Sequence, residues 1–149
     1  MPIRRDLRHF YRTQAWRALV ALLKKRSGNR CEWCGKPNGK EVWTRTGGGA
    51  MWWRKCGRDL TWRDHQAQIV TPYAAEWQDA VKHRLRRIRV VCTGAHLNHQ
   101  PGDDRPENAA YLCQWCHLHF DLGHHVVNSR QTRKLHKDQA RPLLQEAIA

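Results

Sequence analysis

The sequence predicts an α+β fold, a small zinc-stapled domain with flanking helices. Two CxxC pairs, Cys31/Cys34 and Cys113/Cys116, stand near opposite ends of the chain. Short β-branched runs alternate with stretches of helical periodicity. A chain of 149 residues has room for one core of ordinary size and little more. We therefore expect one domain over residues 1–149.

The CxxC spacing predicts a structural Zn²⁺ site. Six cysteines could form three disulfides in a secreted chain, but nothing in the sequence directs it to an oxidising compartment. Two sulfurs of one tight turn can bind the same ion at about 2.3 Å, and a second turn completes a tetrahedral shell. The predicted ligands are Cys31, Cys34, Cys113 and Cys116. Cys56 and Cys92 lack such spacing and are interpreted as small buried apolar residues.

The first elements follow from capping and periodicity. Residues 1–12 form a basic arm in which Phe10 and Tyr11 are candidate anchors. Apolar residues recur at helical spacing from Thr13 to Arg26, with Thr13 as N-cap, and residues 27–29 (Ser-Gly-Asn) end the helix. The predicted inward positions are Trp16, Leu19, Val20, Leu22 and Leu23.

The middle of the chain predicts short strands followed by a helix. Residues 42–44 and 69–70 are β-branched or aromatic, and 47–49 is a run of glycines typical of a loop tip. Thr71-Pro72 is a helix-opening pattern, which predicts a helix over residues 72–87. Its inward residues would be Trp77, Val81, Leu85 and Ile88, and its other face Lys82, His83, Arg84, Arg86 and Arg87. That basic face is either a solvated surface or a phosphate-tracking one.

The last part of the chain predicts a hairpin and two helices. Residues 88–92 favour a strand, and 93–99 a second strand or a turn. A loop over 101–106 leads back to the second CxxC, and a short helix from near Gln114 carries His117, Phe120 and Asp121. A final helix over 126–137 belongs to a basic C-terminal segment, 124–149.

Charge indicates a polyanionic partner. Lysine and arginine number 27 against 13 acids, a formal charge of +14, which attracts nucleic acid. A merely basic surface is the simpler alternative. No apolar run reaches the roughly 18 residues that span a bilayer, so we expect no membrane association and a soluble, cytoplasmic protein in a bacterial or phage-infected cell. Of the eight tryptophans, Trp16, Trp33, Trp77 and Trp115 are predicted core residues, and Trp52-Trp53 are either core or nucleic-acid contacts.

At His96, Asn108 and His117 the chain resembles the HNH endonuclease family, also called His-Me finger or ββα-metal nucleases. The motifs His96-Leu97-Asn98-His99, Arg105-Pro106-Glu107-Asn108 and Leu112-Cys113-Gln114-Trp115-Cys116-His117 are similar to the branch of that family that carries a zinc ribbon. The resemblance covers residues 92–121 and extends weakly to 10–17 and 30–35. Residues 40–88 have no counterpart in it and are interpreted as an insertion.

The resemblance implies a ββα-metal site that hydrolyses phosphodiester bonds in DNA, double-stranded DNA being the expected substrate. His96 would be the general base, Asn108 would brace the loop, and His117 would bind a catalytic Mg²⁺ or another divalent transition metal. Asp121 and His99 are further candidate ligands of that ion, and His117 could alternatively join the zinc shell. The basic candidates for DNA contact are Arg84, Arg86, Arg87, Arg130, Arg133 and Lys134. A homodimer or a nucleic-acid-processing partner protein fits the same chemistry.

One position departs from the family pattern. The residue before the base, often a metal-binding aspartate or histidine in this family, is Ala95. His99, Asp103, Asp104, water or substrate phosphate could replace it, or catalysis could be lost. The alternative function is a non-catalytic zinc-ribbon module that binds DNA or assists packaging, and a third is a zinc-stapled protein adaptor.

Overall fold

The small α+β fold is confirmed. The computed structural model describes residues 7–47, 50–58, 61–70 and 84–146, and these ranges contain two α-helices and seven strands. The chain divides into two compact units, Met1–His117 and Leu118–Ala149. The four CxxC cysteines and His96 all belong to the first unit. The expectation of one domain over residues 1–149 stays a prediction.

The first helix forms as expected. Helix α1 spans Gln14–Arg26, and the Thr13 hydroxyl accepts a hydrogen bond from Trp16 N at 3.1 Å, as an N-cap does. Trp16, Leu19 and Leu23 are buried, but Leu22 is 48% exposed, so its predicted inward orientation was wrong. Of the two candidate anchors, Tyr11 packs against the core: Phe10–Arg12 forms a 3-10 turn that places the Tyr11 ring edge-on against Trp16 at 5.3 Å.

An antiparallel five-stranded sheet occupies the segment interpreted as an insertion. Its strands are β1 (Glu41–Gly47), β2 (Ala50–Lys55), β3 (Trp62–Arg63), β4 (Ile69–Val70) and β5 (Arg84–Arg89). They lie in the order β4-β3-β2-β1-β5, so β5 is an edge strand. The patterns at 42–44 and 69–70 predicted parts of β1 and β4, whereas β2 and β3 were missed. The expected loop tip lies at the β1–β2 connection, where Gly48 and Gly49 are outside the described residues.

The helix predicted over 72–87 is wrong where the structure can test it. Residues 84–87 are extended in β5 and pair with β1, and residues 71–83 lie outside the described ranges. The predictions for four residues of that helix therefore lie outside the described residues: Trp77, Val81, Lys82 and His83. The edge of an existing sheet offers β5 a full ladder of backbone partners, which outweighs a charge pattern that suits either a helix or a strand.

A two-stranded hairpin and a long helix complete the chain. Strand β6 (Cys92–His96) pairs with β7 (Ala109–Cys113), with Cys92 opposite Cys113 and His96 opposite Ala109. Helix α2 begins at Gln114, as predicted, but it continues to Glu146 as 33 residues. The two separate helices expected here are therefore one. Gly123 does not break it, since a lone glycine in a helix costs only about 1 kcal/mol.

The core lies between α1, the hairpin, the cysteines and one face of the five-stranded sheet. Tyr111 and Leu112 of β7 are buried together with Leu23, Val42 and Trp53. Cys92 is 7% exposed, which confirms its interpretation as a small buried residue, and burial raises its pKa to about 12. Cys56 is only partly buried, so the same interpretation was wrong for it. Across the ranges that the structure describes, no helix combines the length and the apolarity needed to cross a bilayer.

Candidate metal centre and histidine site

The four predicted zinc ligands meet in one buried cluster. The sulfurs of Cys31, Cys34, Cys113 and Cys116 all lie within 4.8 Å of one another, and each residue is at most 2% exposed. Tetrahedral Zn²⁺ with Zn–S bonds of about 2.3 Å needs sulfurs about 3.8 Å apart. Cys34 Sγ and Cys113 Sγ are 3.6 Å apart, far longer than the roughly 2.05 Å of a disulfide. The cluster fits a structural zinc ion.

The first pair of sulfurs is presented by a tight turn after α1. Gly35 N donates to Cys31 O and Cys31 N donates to Lys36 O, both at 2.9 Å. The turn returns the chain on itself because Gly35 adopts φ 70°, a left-handed conformation that a side chain would strain. Arg30 and Pro37 then form an isolated bridge that closes it. Both sulfurs consequently point to one side.

The second pair comes from the junction of β7 and α2. Cys113 is the last residue of β7, and Cys116 lies in the first turn of α2, three residues on. The turn is held by Gln114, whose side chain accepts from Val91 N and donates to Arg89 O, each at 3.0 Å. Residues separated by three positions in a helix share a face, so this junction directs the second pair toward the first.

The close contacts among the four thiols shift their pKa values in different directions. Hydrogen bonds from Cys113 lower the pKa of Cys31, and those from Cys116 lower the pKa of Cys113 to about 7. The same contacts with Cys113 raise the pKa of Cys34 and Cys116, because their S–H groups act as donors toward it. Several thiolates at this separation repel one another in a buried site. A divalent cation removes that conflict, since it binds the deprotonated sulfurs.

Arg26 and Glu32 hold the two halves of the cluster together. The Arg26 guanidinium donates to both Glu32 carboxylate oxygens, at 2.7 and 2.9 Å, and also to Ala109 O and Pro106 O. The Glu32 carboxylate raises the pKa of Arg26. Glu32 Oε2 also accepts from Tyr111 N at 2.8 Å. One ion pair therefore joins the end of α1, the first cysteine turn and β7.

Asn38 ties the same turn to the hairpin. Its amide donates to Asn29 Oδ1 and to the Tyr111 hydroxyl, both at 3.0 Å, while its oxygen accepts from Cys92 N at 2.9 Å. Sequence reasoning missed Arg26, Glu32, Asn38 and Gln114 as supports of the site. Their partners lie up to 83 positions away, and no local spacing signals such contacts.

His96 lies at the end of β6 in a sheltered position. Its Nε2 is 2.9 Å from Asp104 Oδ1, and its side chain is only 3% exposed. The imidazole stacks on Trp16, with ring centres 4.4 Å apart and planes at 29°, and lies 6.0 Å from Tyr11. Asp104, one of the groups considered as replacements for the residue at Ala95, contacts the His96 imidazole through its carboxylate.

Asn108 closes the loop that carries Asp104. Its side-chain oxygen accepts from Asn98 N at 3.1 Å, and its amide donates to Asp103 O and Asn98 Oδ1. Asp103 is held by Arg105, which lowers the pKa of the Asp103 carboxyl. Asp103 therefore stabilises the loop rather than extending toward His96. The bracing position predicted for Asn108 agrees with these contacts.

The remaining histidine-site candidates occupy separate positions. His117 follows Cys116 in α2, and its Nδ1 lies 3.2 Å from Thr93 Oγ1 of β6. His99 adopts φ 56° in the turn after β6, where its N donates to His96 O. Asp121 belongs to the second unit, where its Oδ2 is 3.7 Å from His125 Nε2. Within the described ranges, the four cysteines are the only group of three or more His, Cys, Asp or Glu side chains close enough to share a metal ion.

The basic candidates fall in two regions. Arg86 and Arg87 are exposed on β5, and Arg87 forms an ion pair with Glu41 across the sheet. Arg84 begins the same strand. Arg130, Arg133 and Lys134 are exposed on α2 in the second unit. The expected helical array of Arg84, Arg86 and Arg87 is thus a strand array, with neighbouring side chains on opposite faces.

The tryptophan predictions are resolved in part. Trp16 is 7% exposed and belongs to the core, and Trp115 is partly buried against it. Trp33 is 40% exposed, so its predicted core position was wrong. Trp53 is 1% exposed, and its indole donates to Cys34 O at 2.9 Å, so it is a core residue rather than a nucleic-acid contact. Trp52, its neighbour on β2, is half-buried on the opposite face of the sheet.

Comparison with known proteins identifies no relative. No protein-family model, curated protein or solved structure matches this chain.

Proposed function

We propose that this protein is a metal-dependent endonuclease of the HNH type that hydrolyses phosphodiester bonds in DNA. The observation that carries the proposal is the arrangement of one ββα segment next to the cysteine cluster. Strand β6 ends in His96, the following loop is closed by Asn108, and the first turn of α2 contains Cys116 and His117. The resemblance at the same three residues supports the same assignment, and the charge of +14 supports a polyanionic substrate.

In this proposal His96 is the general base. With its proton on Nε2, the imidazole donates to Asp104 Oδ1 and keeps a lone pair on Nδ1 for the proton of the attacking water. Asp104 would fix that tautomer and stabilise the imidazolium that forms. Stacking on Trp16 fixes the plane of the ring. Asp104 is therefore proposed as a positioning residue that acts through its hydrogen bond to the base, His96.

A catalytic divalent ion, Mg²⁺ or a transition metal, would supply charge neutralisation at the phosphate and the leaving oxygen. His117 is the proposed protein ligand in the first unit, and Thr93 Oγ1, 3.2 Å from its Nδ1, would orient the ring so that Nε2 faces the ion. His99 and Asp121 stay predictions as ligands. The four cysteines form a separate structural zinc site in this proposal.

A second function has one specific observation in its favour. His96 has a side chain only 3% exposed, and Ala95 offers no ligand beside it. A general base needs contact with water, so a sheltered imidazole also suits a structural role in a zinc-ribbon module that binds DNA without cutting it. Such a module keeps the basic surface and the cysteine cluster.

Nicking of supercoiled plasmid separates the two functions. Purified protein is incubated with Mg²⁺, Mn²⁺ or Ni²⁺, beside the variants His96→Ala and Asp104→Asn and the control His124→Ala, which changes an exposed histidine. We expect His96→Ala to slow nicking by about a hundredfold or more, the contribution of a general base. Asp104→Asn should lower kcat with little change in KM, whereas His124→Ala should nick like the unmodified protein.

Each result has a defined meaning. Equal nicking by His96→Ala and the unmodified protein would reject the catalytic assignment. If no protein nicks, but all shift DNA with a steep salt dependence, the binding module is the correct function. If the protein shows no salt-sensitive DNA affinity, the third function, a zinc-stapled protein adaptor, is favoured.

A further inference from the structure

The inserted sheet has two chemically different faces. Val42, Thr44, Met51 and Trp53 are buried on one face, toward the cysteine cluster. Because side chains alternate along a strand, the residues between them lie on the other face. We call that second face the Trp–Arg face; it comprises Trp43, Arg45, Trp52, Arg54, Trp62, Arg87 and Arg89, together with Glu41, Leu85 and Val70.

The strand register places indoles and guanidiniums next to one another on this face. Trp43 of β1 is paired with Arg54 on one side and with Arg87 on the other. In the next row, Arg45 of β1 is paired with Trp52 of β2. Adjacent strands lie about 4.8 Å apart, so paired side chains are within reach of each other. The Arg54 guanidinium also lies over the Trp62 ring, 5.5 Å from its centre.

Accessible surface on the Trp–Arg face lies at Trp43, Trp52 and edge strand β5. Trp43, Trp52 and Arg54 are half-buried, while Arg87 and Arg89 are exposed. Trp62 and Arg45, at 8% and 6% exposure, lie deeper and support the others. Among the strand residues described in this sheet, Glu41 is the one acid, and it pairs with Arg87. The face is therefore cationic and aromatic at once.

This combination fits a single-stranded nucleic acid. Unpaired bases stack on aromatic rings regardless of sequence, and neighbouring cations neutralise the phosphates between them. A duplex would use the arginines but not the indole faces, because its bases are already stacked. An acidic peptide would likewise leave the indoles unused.

We propose that the Trp–Arg face binds single-stranded nucleic acid, with bases stacked on Trp43 and Trp52 and phosphates on Arg87 and Arg89. This proposal rests on the nucleic-acid substrate of the proposed function but not on hydrolysis. It assigns a role to the inserted sheet, which the His96 site does not use. Strand β5 continues through Val90 and Val91 into β6, so the same segment links this face to the His96 hairpin.

Binding of a labelled oligo(dT) tests the proposal. Fluorescence anisotropy is recorded with the zinc-loaded His96→Ala protein, to which no Mg²⁺ is added, an oligo(dT) of about 15 nucleotides and a duplex of equal length. Trp43→Leu and Trp52→Leu should each weaken oligo(dT) binding about tenfold and leave duplex binding within about twofold. Trp43→Phe, which keeps an aromatic face, should retain most of the affinity. Arg89→Gln should reduce the slope of log K against log salt by about 0.7 for the single strand.

Trp33→Leu is the matched control, since Trp33 is 40% exposed but lies outside the sheet. It should bind oligo(dT) normally. Unchanged binding by both Trp43→Leu and Trp52→Leu would overturn the proposal, as would equal losses for oligo(dT) and duplex.

Ultraviolet cross-linking covers the case in which a variant does not fold. The protein with its natural tryptophans is irradiated with an oligonucleotide that carries 5-bromouridine, and the cross-linked peptides are sequenced by mass spectrometry. Cross-links at Trp43 or Trp52 support the proposal, and cross-links confined to other residues refute it. A failure of the nicking assay leaves both readouts intact, so the two proposals fail separately.

Discussion

Gly94 is the residue on which the contact between α1 and the hairpin depends. A Cβ atom at this position would lie 3.0 Å from the Trp16 ring and 3.0 Å from a methyl group of Val20. That is closer than carbon atoms pack, so only a glycine lets β6 approach α1 this far. The same approach brings His96, two residues on, over Trp16.

We expect Gly94→Ala to destabilise the first unit by about 1–3 kcal/mol, the usual cost of overpacking a close-packed core. Gly123→Ala is the control, because Gly123 lies inside α2 with nothing within 4 Å of an added Cβ. It should stabilise the helix by about 0.5–1 kcal/mol. Urea unfolding of both variants measures the difference, and equal stability for the two would contradict the close contact.

Single residues differ in how far sequence could predict them. The four cysteines were identified correctly because two sulfurs in one tight turn are a local pattern. Thr13 was identified for the same reason, since a cap bonds within its own helix turn. Trp52 and Trp53 look alike in sequence, and only the facing of β2 separates a surface indole from a buried one.

Among the secondary-structure elements, the junction between β7 and α2 is held by the Gln114 side chain, which forms hydrogen bonds with two backbone groups. The Gln114 side chain accepts from Val91 N and donates to Arg89 O, so it satisfies backbone groups at the end of β5 and in the link to β6. The junction also carries Cys113 and Cys116. This side chain therefore links the five-stranded sheet to the second cysteine pair.

Gln114→Ala should lower the free energy of unfolding by about 1 kcal/mol, the net value of one to two partly exposed hydrogen bonds. Gln14→Ala is a matched control, because Gln14 also occupies the first position of a helix and is exposed. The control should be neutral or slightly stabilising. Thermal unfolding in the presence of zinc compares them, and an equal effect of both substitutions would show that the Gln114 contacts contribute nothing.

Element prediction succeeded for α1 and the start of α2, was partly right for β6 and failed for β5. Residues 88–92 were expected as one strand, but β5 ends at Arg89 and β6 begins at Cys92. Helix caps and a glycine stop are local signals, so α1 could be bounded to within a residue. Residues 84–89 (Arg-Leu-Arg-Arg-Ile-Arg) carry no such signal, and their β conformation follows from pairing with β1, some forty positions earlier. A pairing over that distance is not visible in the local pattern.

At the scale of the whole first unit, the cysteine cluster joins segments from both ends of the chain. Cys31 and Cys34 follow α1, whereas Cys113 and Cys116 belong to the β7–α2 junction. Closing a loop between two cysteines 79 positions apart is costly in chain entropy, and a bound ion would offset that cost. The five-stranded sheet lies within this loop.

We expect the purified chain to hold about one zinc ion, and its removal to cost more than about 3 kcal/mol of stability. Cys34→Ser and Cys116→Ser should lose zinc and unfold at lower temperature. Cys56→Ser, which changes a cysteine outside the cluster, should keep both properties. Elemental analysis of protein prepared without a polyhistidine tag, with thermal unfolding before and after chelation, measures this. Protein that is fully folded yet free of metal would contradict the prediction that a zinc ion stabilises the first unit.

The sequence by itself determined the four clustered cysteines, the first helix with its caps and the cationic character. Each of these depends on residue type or on spacing within a few positions. The tertiary structure decided that Asp104 contacts His96, that Arg26 and Glu32 join the cysteine turns, and that residues 84–89 complete a sheet with a Trp–Arg face. Some of those contacts join residues that are distant in the chain. Others depend on the face of the sheet to which a side chain points. Only the packing of the whole unit selects them.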